Sequence, residues 1–444
     1  MPLWSPDFPI SPRRFPFFYG WIIVAVATLG IVFSIPGQTM GFSVFTDILI
    51  HELGLSRVEL STAYCVGTVL SGFTLPSLGR VFDRFGARKL IVGAAASTGL
   101  VLYFLSTVHR LTDWLETALP FLAGSTIAFC VITIGFYLIR VSAQGVLTMT
   151  SRNAIGKWFD YHRGTALAIS GTVTSFSFSI APKILNEMIE AFEWWGAWLA
   201  LGTASIFGMA LLGWIFLRDN PEECGLLMDG VIDESKKRKG HADSITHRDY
   251  CRNEAISTAA FRMFNLSFSF FSLFSTAVTF HIVSLGEAFG RPKEDILNYF
   301  VPMALLSVAT NLIFGWISSR TRLKYLLIIM NLAALTGVLG TLFLAGTPGL
   351  IAYIIGNGIC GGAFAALSGI VWPRFFGRLH LGAISGISMS SIVIASGIGP
   401  LLFSISLALT GDYNSVLWFS AIIPTILVFG SLTADNPQRH AEEI

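Results

Sequence analysis

Long apolar runs separated by short polar turns pattern this 444-residue chain. A helix needs roughly 20 predominantly apolar residues to cross the hydrocarbon of a bilayer. By that measure the runs near 17–45, 58–79, 88–107, 120–150, 163–187 and 194–217 each predict a span. After a polar interval a second set follows near 262–286, 294–316, 324–345, 349–371, 382–409 and 415–433. Twelve spans are an even number, which puts both termini on one side. The first run is too long for a signal-peptide core and lacks a small-residue cleavage end, so it is expected to remain as the first span. The run 120–150 is over-long and contains Arg140.

The distribution of charge tests this topology, because loops on the cytoplasmic side carry the excess of Arg and Lys. Of 29 such residues, 23 fall on the side of the N-terminus, 5 on the other side, and Arg140 lies within a span. Both termini are therefore expected in the cytoplasm, with the chain in a cell membrane. The interval 218–261 divides a six-span N-terminal half, 1–217, from a six-span C-terminal half, 262–444. Asp229, Asp233, Glu234 and Lys236-Lys237-Arg238-Lys239 give it mixed charge, which predicts a solvated, mobile connector. Contact of the Lys236 to Lys239 run with anionic lipid is the alternative.

Composition narrows the class. The chain is 53% hydrophobic and 13% charged, against roughly 25% charged in soluble proteins. Net charge is +2, and no basic block carries interleaved aromatics, so the macroscopic partner is a lipid bilayer and not nucleic acid. The five cysteines show no Cys-x-x-Cys spacing, which disfavours a metal knuckle or a disulfide framework. There is no His-Glu-x-x-His, no nucleophile elbow and no phosphate loop, so the chain is not expected to be an enzyme or to use a cofactor. Transport would then draw its energy from a gradient.

The two halves repeat each other. Trp158-Phe159 is followed by Arg163-Gly164 and Ala168-Ile169-Ser170-Gly171; Phe375-Phe376 is followed by His380, Gly382 and Ala383-Ile384-Ser385-Gly386. Gly315-Trp316-Ile317-Ser318-Ser319-Arg320 is a decayed counterpart of the stretch beginning Gly79-Arg80-Val81-Phe82-Asp83-Arg84. That stretch continues to Lys89 and matches G-x-x-x-D-R-x-G-x-[RK]-[RK], by which the chain resembles the major facilitator superfamily. Arg140 with Gln144-Gly145 is similar to its second signature, one residue longer between Arg and Gly than the commonest form. Tyr19-Gly20-Trp21, Lys157-Trp158-Phe159-Asp160 with Arg163-Gly164, and Arg218-Asp219-Asn220-Pro221-Glu222-Glu223 resemble the branch of oxalate:formate antiporters and monocarboxylate porters. Spans 8 and 11, which tend to carry anion-binding cations in that branch, contain no Lys or Arg here. Span 5 keeps only Pro182 of the antiporter signature. The resemblance implies an all-α membrane fold of twelve helices in two six-helix repeats.

Several residues could carry the chemistry. Arg140 lies inside a span, where a charge costs from about 3 to more than 10 kcal/mol, so it must face protein or water. Its fork could bind a substrate carboxylate, or it could lock span 4 to its neighbours. Tyr137 and Gln144 share its face at i−3 and i+4. His281 could exchange a proton near neutral pH, or be a satisfied interfacial residue. Gln38 and Thr39 follow the Pro36-Gly37 interruption of span 1, where freed backbone groups seek partners; a simple kink is the alternative. Asn357 lies in a glycine-rich stretch suited to close packing as well as to ligand contact. Lys183 and Glu187 read as interfacial snorkelling. Gly79, Asp83, Arg84, Gly86 and Arg88 form the gating set, and the resemblance implies that Asp83 contacts the start of span 11 in the outward-facing state. A carboxylate at an exposed helix N-terminus is favoured by up to about 1 kcal/mol.

The expectation is a monomeric secondary active transporter for a small organic anion such as a monocarboxylate, with a proton or a counter-anion as coupling species. Export of amphipathic drugs or metabolites is the alternative, suggested by 37 Phe and 11 Trp. A receptor or sensor without turnover on the same fold is the third reading.

Overall fold

The computed structural model describes residues 3–230, 246–291 and 299–441. Among these no residue is in a β-strand, and ten helices are long and apolar enough to cross a membrane. Two of the ten are pairs of spans joined by one residue with positive φ. The helix Arg57–Ser106 turns at Gly86 (φ 84°), and Arg163–Phe216 turns at Glu193 (φ 61°). The twelve spans are α1 (Gly20–Gly37), α2 (57–85), α3 (87–106), α4 (Gly124–Trp158), α5 (163–192) and α6 (194–216), followed by α7 (Ala259–Ala288), α8 (Phe300–Ser318), α9 (Leu323–Leu342), α10 (Thr347–Phe376), α11 (Leu381–Thr410) and α12 (Asn414–Gly430). Six precede the connector and six follow it, the seventh beginning at Ala259, inside the expected interval 218–261.

The boundaries depart from the apolar runs in two places. The run 17–45 is not one helix: the regular part ends at Val32, a 3-10 turn follows over Ile35–Gly37, and helix resumes over Thr39–Ser43 after the extended Gln38. Pro36 has no N–H to continue the ladder, which accounts for the break. The run 120–150 becomes Gly124–Trp158, with a π-helical stretch over Arg140–Leu147 at its middle. Ser56 caps α2 in a reciprocal capping box with Glu59, so that helix starts sharply.

Residues 3–14 and 437–441 lie on one side of the bundle, here called the near side. Arg88 and Arg218 donate to the carbonyls of Ser5, Pro6, Phe8 and Ile10, and Gln438 donates to those of Arg248 and Phe375. The connector corrects one expectation, because its described ends are docked instead of solvated. The Asp229 carboxylate accepts from the backbone N–H groups of Asp160, Tyr161 and His162, at 3.0, 2.8 and 3.1 Å. Asp249 accepts from Arg378 and Leu379, at 2.6 and 3.0 Å. These donors precede α5 and α11, where the first turn of a helix leaves N–H groups without intrahelical acceptors. Burial pushes the Asp229 carboxyl up, but the hydrogen bonds from His162, Tyr161 and Asp160 outweigh it and hold the group below the usual carboxylate range. Asp233, Glu234 and the Lys236 to Lys239 run lie outside the described residues.

Two helix pairs approach most closely across the halves, α2 with α11 and α5 with α8. Within lipid, apolar surface gives little drive for helices to associate, so close approach depends on small residues. Gly79 meets Gly382 backbone to backbone, and Gly164 meets Gly315 in the same way.

Candidate functional site

A cavity of about 270 Å³ lies at the centre of the bundle, between the halves. Its wall takes Ile31, Gln38, Thr39 and Met40 from the broken end of α1, Gln144, Thr148 and Arg152 from α4, and Phe178 from α5. Phe271, Ser272, Ser275, Thr276 and Thr279 of α7, Phe364 of α10, and Met389, Ile392 and Ser396 of α11 complete it. The break in α1 exposes the carbonyl of Gly37, and the guanidinium of Arg140 takes it, Nη1 to O at 3.0 Å. The π-helical stretch of α4 widens the turn there, a feature that recurs at functional sites. Arg140, Gln144, Thr148 and Arg152 then follow one another at four-residue steps along one face.

Arg140 is 1% exposed and stands behind the wall, not in it. Besides Gly37, its Nη2 donates to Ser396 Oγ at 3.3 Å, and its guanidinium lies 5.0 Å from the centre of the Tyr64 ring. Its Nε has no partner among the described residues. Arg140 thus ties α4 to α1, α2 and α11. Tyr137 shares a hydrogen bond with Thr74 of α2 at 3.0 Å and lies outside both the central cavity and the side cavity described below.

Gln38, Thr39 and Gln144 do converge on the cavity. Gln38 Nε2 donates to Ser34 Oγ at 3.1 Å, Tyr64 donates to Thr39 at 2.9 Å, and Gln144 Oε1 is a buried acceptor without a partner among the described residues. His281 is elsewhere: Nε2 lies 3.0 Å from Pro400 O and 3.2 Å from Ser404 Oγ, and Nδ1 lies 3.3 Å from the Tyr413 hydroxyl, so it links α7 to α11 and α12. Asn357 lines the adjoining side cavity of about 710 Å³ and donates to Tyr353 O at 2.9 Å. Lys183 and Glu187 are exposed, 4.0 Å apart.

The residue that sequence reasoning missed is Arg152. Cutting the fourth run at 150 placed it in a loop, although its four-residue spacing from Thr148, Gln144 and Arg140 was legible. Arg152 Nη1 donates to Ser368 Oγ at 2.8 Å and its guanidinium is 5.8 Å from the Phe364 ring. Ser368 is its only hydrogen-bond partner among the described residues, and no Asp or Glu stands in the cavity wall. The wall therefore carries one cation and no acid. Among the described residues no group of three or more His, Cys, Asp or Glu could hold a metal ion.

The near side of the cavity is closed by contacts between halves. Asp83 accepts from the N–H groups of Gly382 and Ala383, each at 2.7 Å. Asn153 donates to Ser385 at 2.7 Å, and Arg378 donates to Lys157 O at 2.8 Å and pairs with Glu222 at 2.8 Å. Of the other residues in the charged turn, Gly79 meets α11, whereas Gly86 lies against Asp219 at the start of the connector and Arg88 binds that residue and α6. The Arg88 N–H donates to Asp219 at 2.7 Å, and its side chain donates to Trp214 O at 2.9 Å. Arg84 is exposed, over the Phe85 ring at 5.3 Å.

Residues 27–348 match the family model described as Major Facilitator Superfamily. Monocarboxylate transporter 12 of Xenopus laevis is 22% identical over 393 residues, 84% of this chain and 78% of that protein. The probable sulfoacetate transporter SauU of Cupriavidus necator is 22% identical over 435 residues, 91% and 93% of the two chains. Among solved structures, the human organic anion transporter MFSD10 superposes with a TM-score of 0.64 at 13% identity, covering 94% of this chain and all of that one.

Proposed function

The chain belongs to the Major Facilitator Superfamily and is a multi-pass membrane transporter of that family; from that premise we propose that it carries a small organic anion by secondary active transport. The halves rock about the central cavity, exposing it in turn to each side. The observation that carries the anion is Arg152, a cation in the wall whose only hydrogen-bond partner among the described residues is a neutral hydroxyl. Holding such a charge half-buried in the protein without a counter-ion is costly, and a carboxylate or sulfonate bound to its fork would offset that cost through paired, charge-assisted hydrogen bonds. Gln38, Thr39 and Gln144 supply further polar contacts, and Phe271 and Phe364 an apolar floor. Monocarboxylate and sulfoacetate, the anions in the relatives' names, fit this chemistry. Arg140 acts here as a positioning residue that holds the α1 break against α4 and α11. Asp83 and Gly79 act as the near-side gate, and the near side is the cytoplasmic face of a cell membrane by its excess of Arg and Lys. A proton or a second anion couples the movement.

The test is uptake of labelled pyruvate, lactate and sulfoacetate into proteoliposomes by the wild type and by Arg152→Gln. Losing a charge-assisted pair of about 2–3 kcal/mol predicts a fall of at least tenfold in uptake of whichever anion is carried. Failure to transport any of the three, with a neutral compound carried equally by the variant, would overturn the reading.

A further inference from the structure

The two seams between the halves differ along their length. α2 and α11 stay in touch from Gly79 and Gly382, through Gly72 against Ile394, to Cys65, whose thiol donates to Gly397 O at 3.3 Å. α5 and α8 touch at Gly164 and Gly315, and at Asn311, whose Nδ2 donates to Ala168 O at 2.9 Å and lies against Gly171. Beyond Gly171 the side cavity separates them. It is bounded by residues 175–182 of α5 and 300–308 of α8, and it shares Met40, Phe178, Phe271, Ser275 and Thr279 with the central cavity, so the two adjoin across these residues. Its rim residues Phe176, Val301 and Leu305 are 58%, 64% and 61% exposed on membrane-spanning helices.

We propose that this opening is a side portal by which a single-chain anionic amphiphile, a long-chain carboxylate or sulfonate, passes from the far-side leaflet to Arg152; the proposal rests on the organic-anion reading above and names its substrate class. A water-borne ion gains nothing from an aromatic and aliphatic rim at hydrocarbon depth. An amphiphile does: its tail stays in apolar surroundings while its head moves past Ser179, Ser275 and Asn357 towards the one cation of the central wall. Seam and charge work together, since the opening lies on the path to a wall that holds Arg152 and no acid among the described residues. The outer end is therefore shaped for the tail and the inner end for the head.

The experiment uses the full chain in liposomes with a dodecanoate carrying a photoreactive diazirine at its tail end. The expected result is cross-linking concentrated on residues 175–182 and 300–308, reduced at least fivefold by excess unlabelled dodecanoate and by Arg152→Gln, and largely restored by Arg152→Lys. Leu305→Trp, which fills the rim without touching the charge, is expected to cut labelling of 175–182 at least fivefold. Cross-links spread over the lipid-facing helices, indifferent to dodecanoate and to Arg152, overturn the portal. Uptake of labelled pyruvate and sulfoacetate is measured on the same preparations. Arg152-dependent uptake with uncompeted labelling removes the portal alone, loss of both removes the anion reading too, and competed, Arg152-dependent labelling sustains the portal even where the short acids are not carried.

Discussion

The near-side contacts α2–α11 and α8–α5 are copies of one arrangement with one group changed. In both, glycines bring backbones together: a Cβ added at Gly79 or Gly382 would collide with the other's carbonyl oxygen, and the same holds for Gly315 and Gly164. In the first seam Asp83, four residues past Gly79, takes two N–H groups from the first turn of α11. The corresponding residue past Gly315 is Ser319, whose hydroxyl donates to Trp316 O in its own helix at 3.4 Å. That seam is instead held by Asn311 on Ala168 O. A carboxylate on a helix N-terminus is a charged latch that water can solvate when it opens, whereas an amide inside the seam must find another partner or stay unpaired. The latched seam is continuous to Cys65; the unlatched one gives way past Gly171. Close glycine packing is thus what the two have in common, and the charge is what separates them.

The largest expected effect breaks what they share. Gly79→Val and Gly164→Val each place branched carbons against backbone, which cannot yield as a side chain could, so each should cut uptake by roughly 50-fold or more while leaving the helices formed. A cysteine at Ser385 should become more open to alkylation in the Gly79 variant. If one valine abolishes transport and the other is tolerated, the seams are not equivalent in the working cycle. The next effect separates them: Asp83→Asn loses charge-assisted bonds of about 1–2 kcal/mol and should slow transport roughly tenfold, with ligand affinity kept within about twofold. A large fall in equilibrium binding would mean that Asp83 belongs to the site. Ser319→Asp in that background sharpens the comparison, since partial recovery would show that either seam can carry the latch.

Which features the sequence disclosed follows from what hydropathy measures. It reports contact with lipid, so spans such as α3, α9 and α12 stand out within a few residues of their helical limits. It is blind to polar residues that face protein. Residues 151–158 look like a loop, yet Arg152 meets Ser368, Asn153 meets Ser385 and Lys157 lies 5.0 Å from the Phe82 ring, so α4 continues through them. The same blindness hid the cation of the cavity wall behind the more conspicuous Arg140. His281 drew attention as a lone titratable residue and Tyr137 as a neighbour of Arg140 on one helix face, and tertiary partners on neighbouring helices satisfy both. Asp229 read as solvated because composition counts its charge and not the three N–H groups that await an acceptor beside α5.

The connector treats the halves alike where the seams do not, with Asp229 beneath the turn before α5 and Asp249 beneath the turn before α11. The smallest predicted effect follows from that likeness: Asp229→Asn should leave the transport rate nearly unchanged and cost about 1–2 kcal/mol of stability at neutral pH, in line with other helix-capping carboxylates. Its pH dependence has a fixed sign. The folded Asp229 carboxyl titrates below its ordinary value, so near pH 4 the unfolded chain binds the extra proton and the stabilising contribution is complete only above that ordinary value, about 3.9. It is lost as pH falls through the lower, folded value. Thermal unfolding of the full chain should therefore show the gap between wild type and Asp229→Asn narrowing as pH drops from about 5 towards 3. A gap that stays constant, or widens, would mean that the three N–H groups do not hold the carboxylate in its charged form, and that the likeness between the two ends of the connector is one of position only.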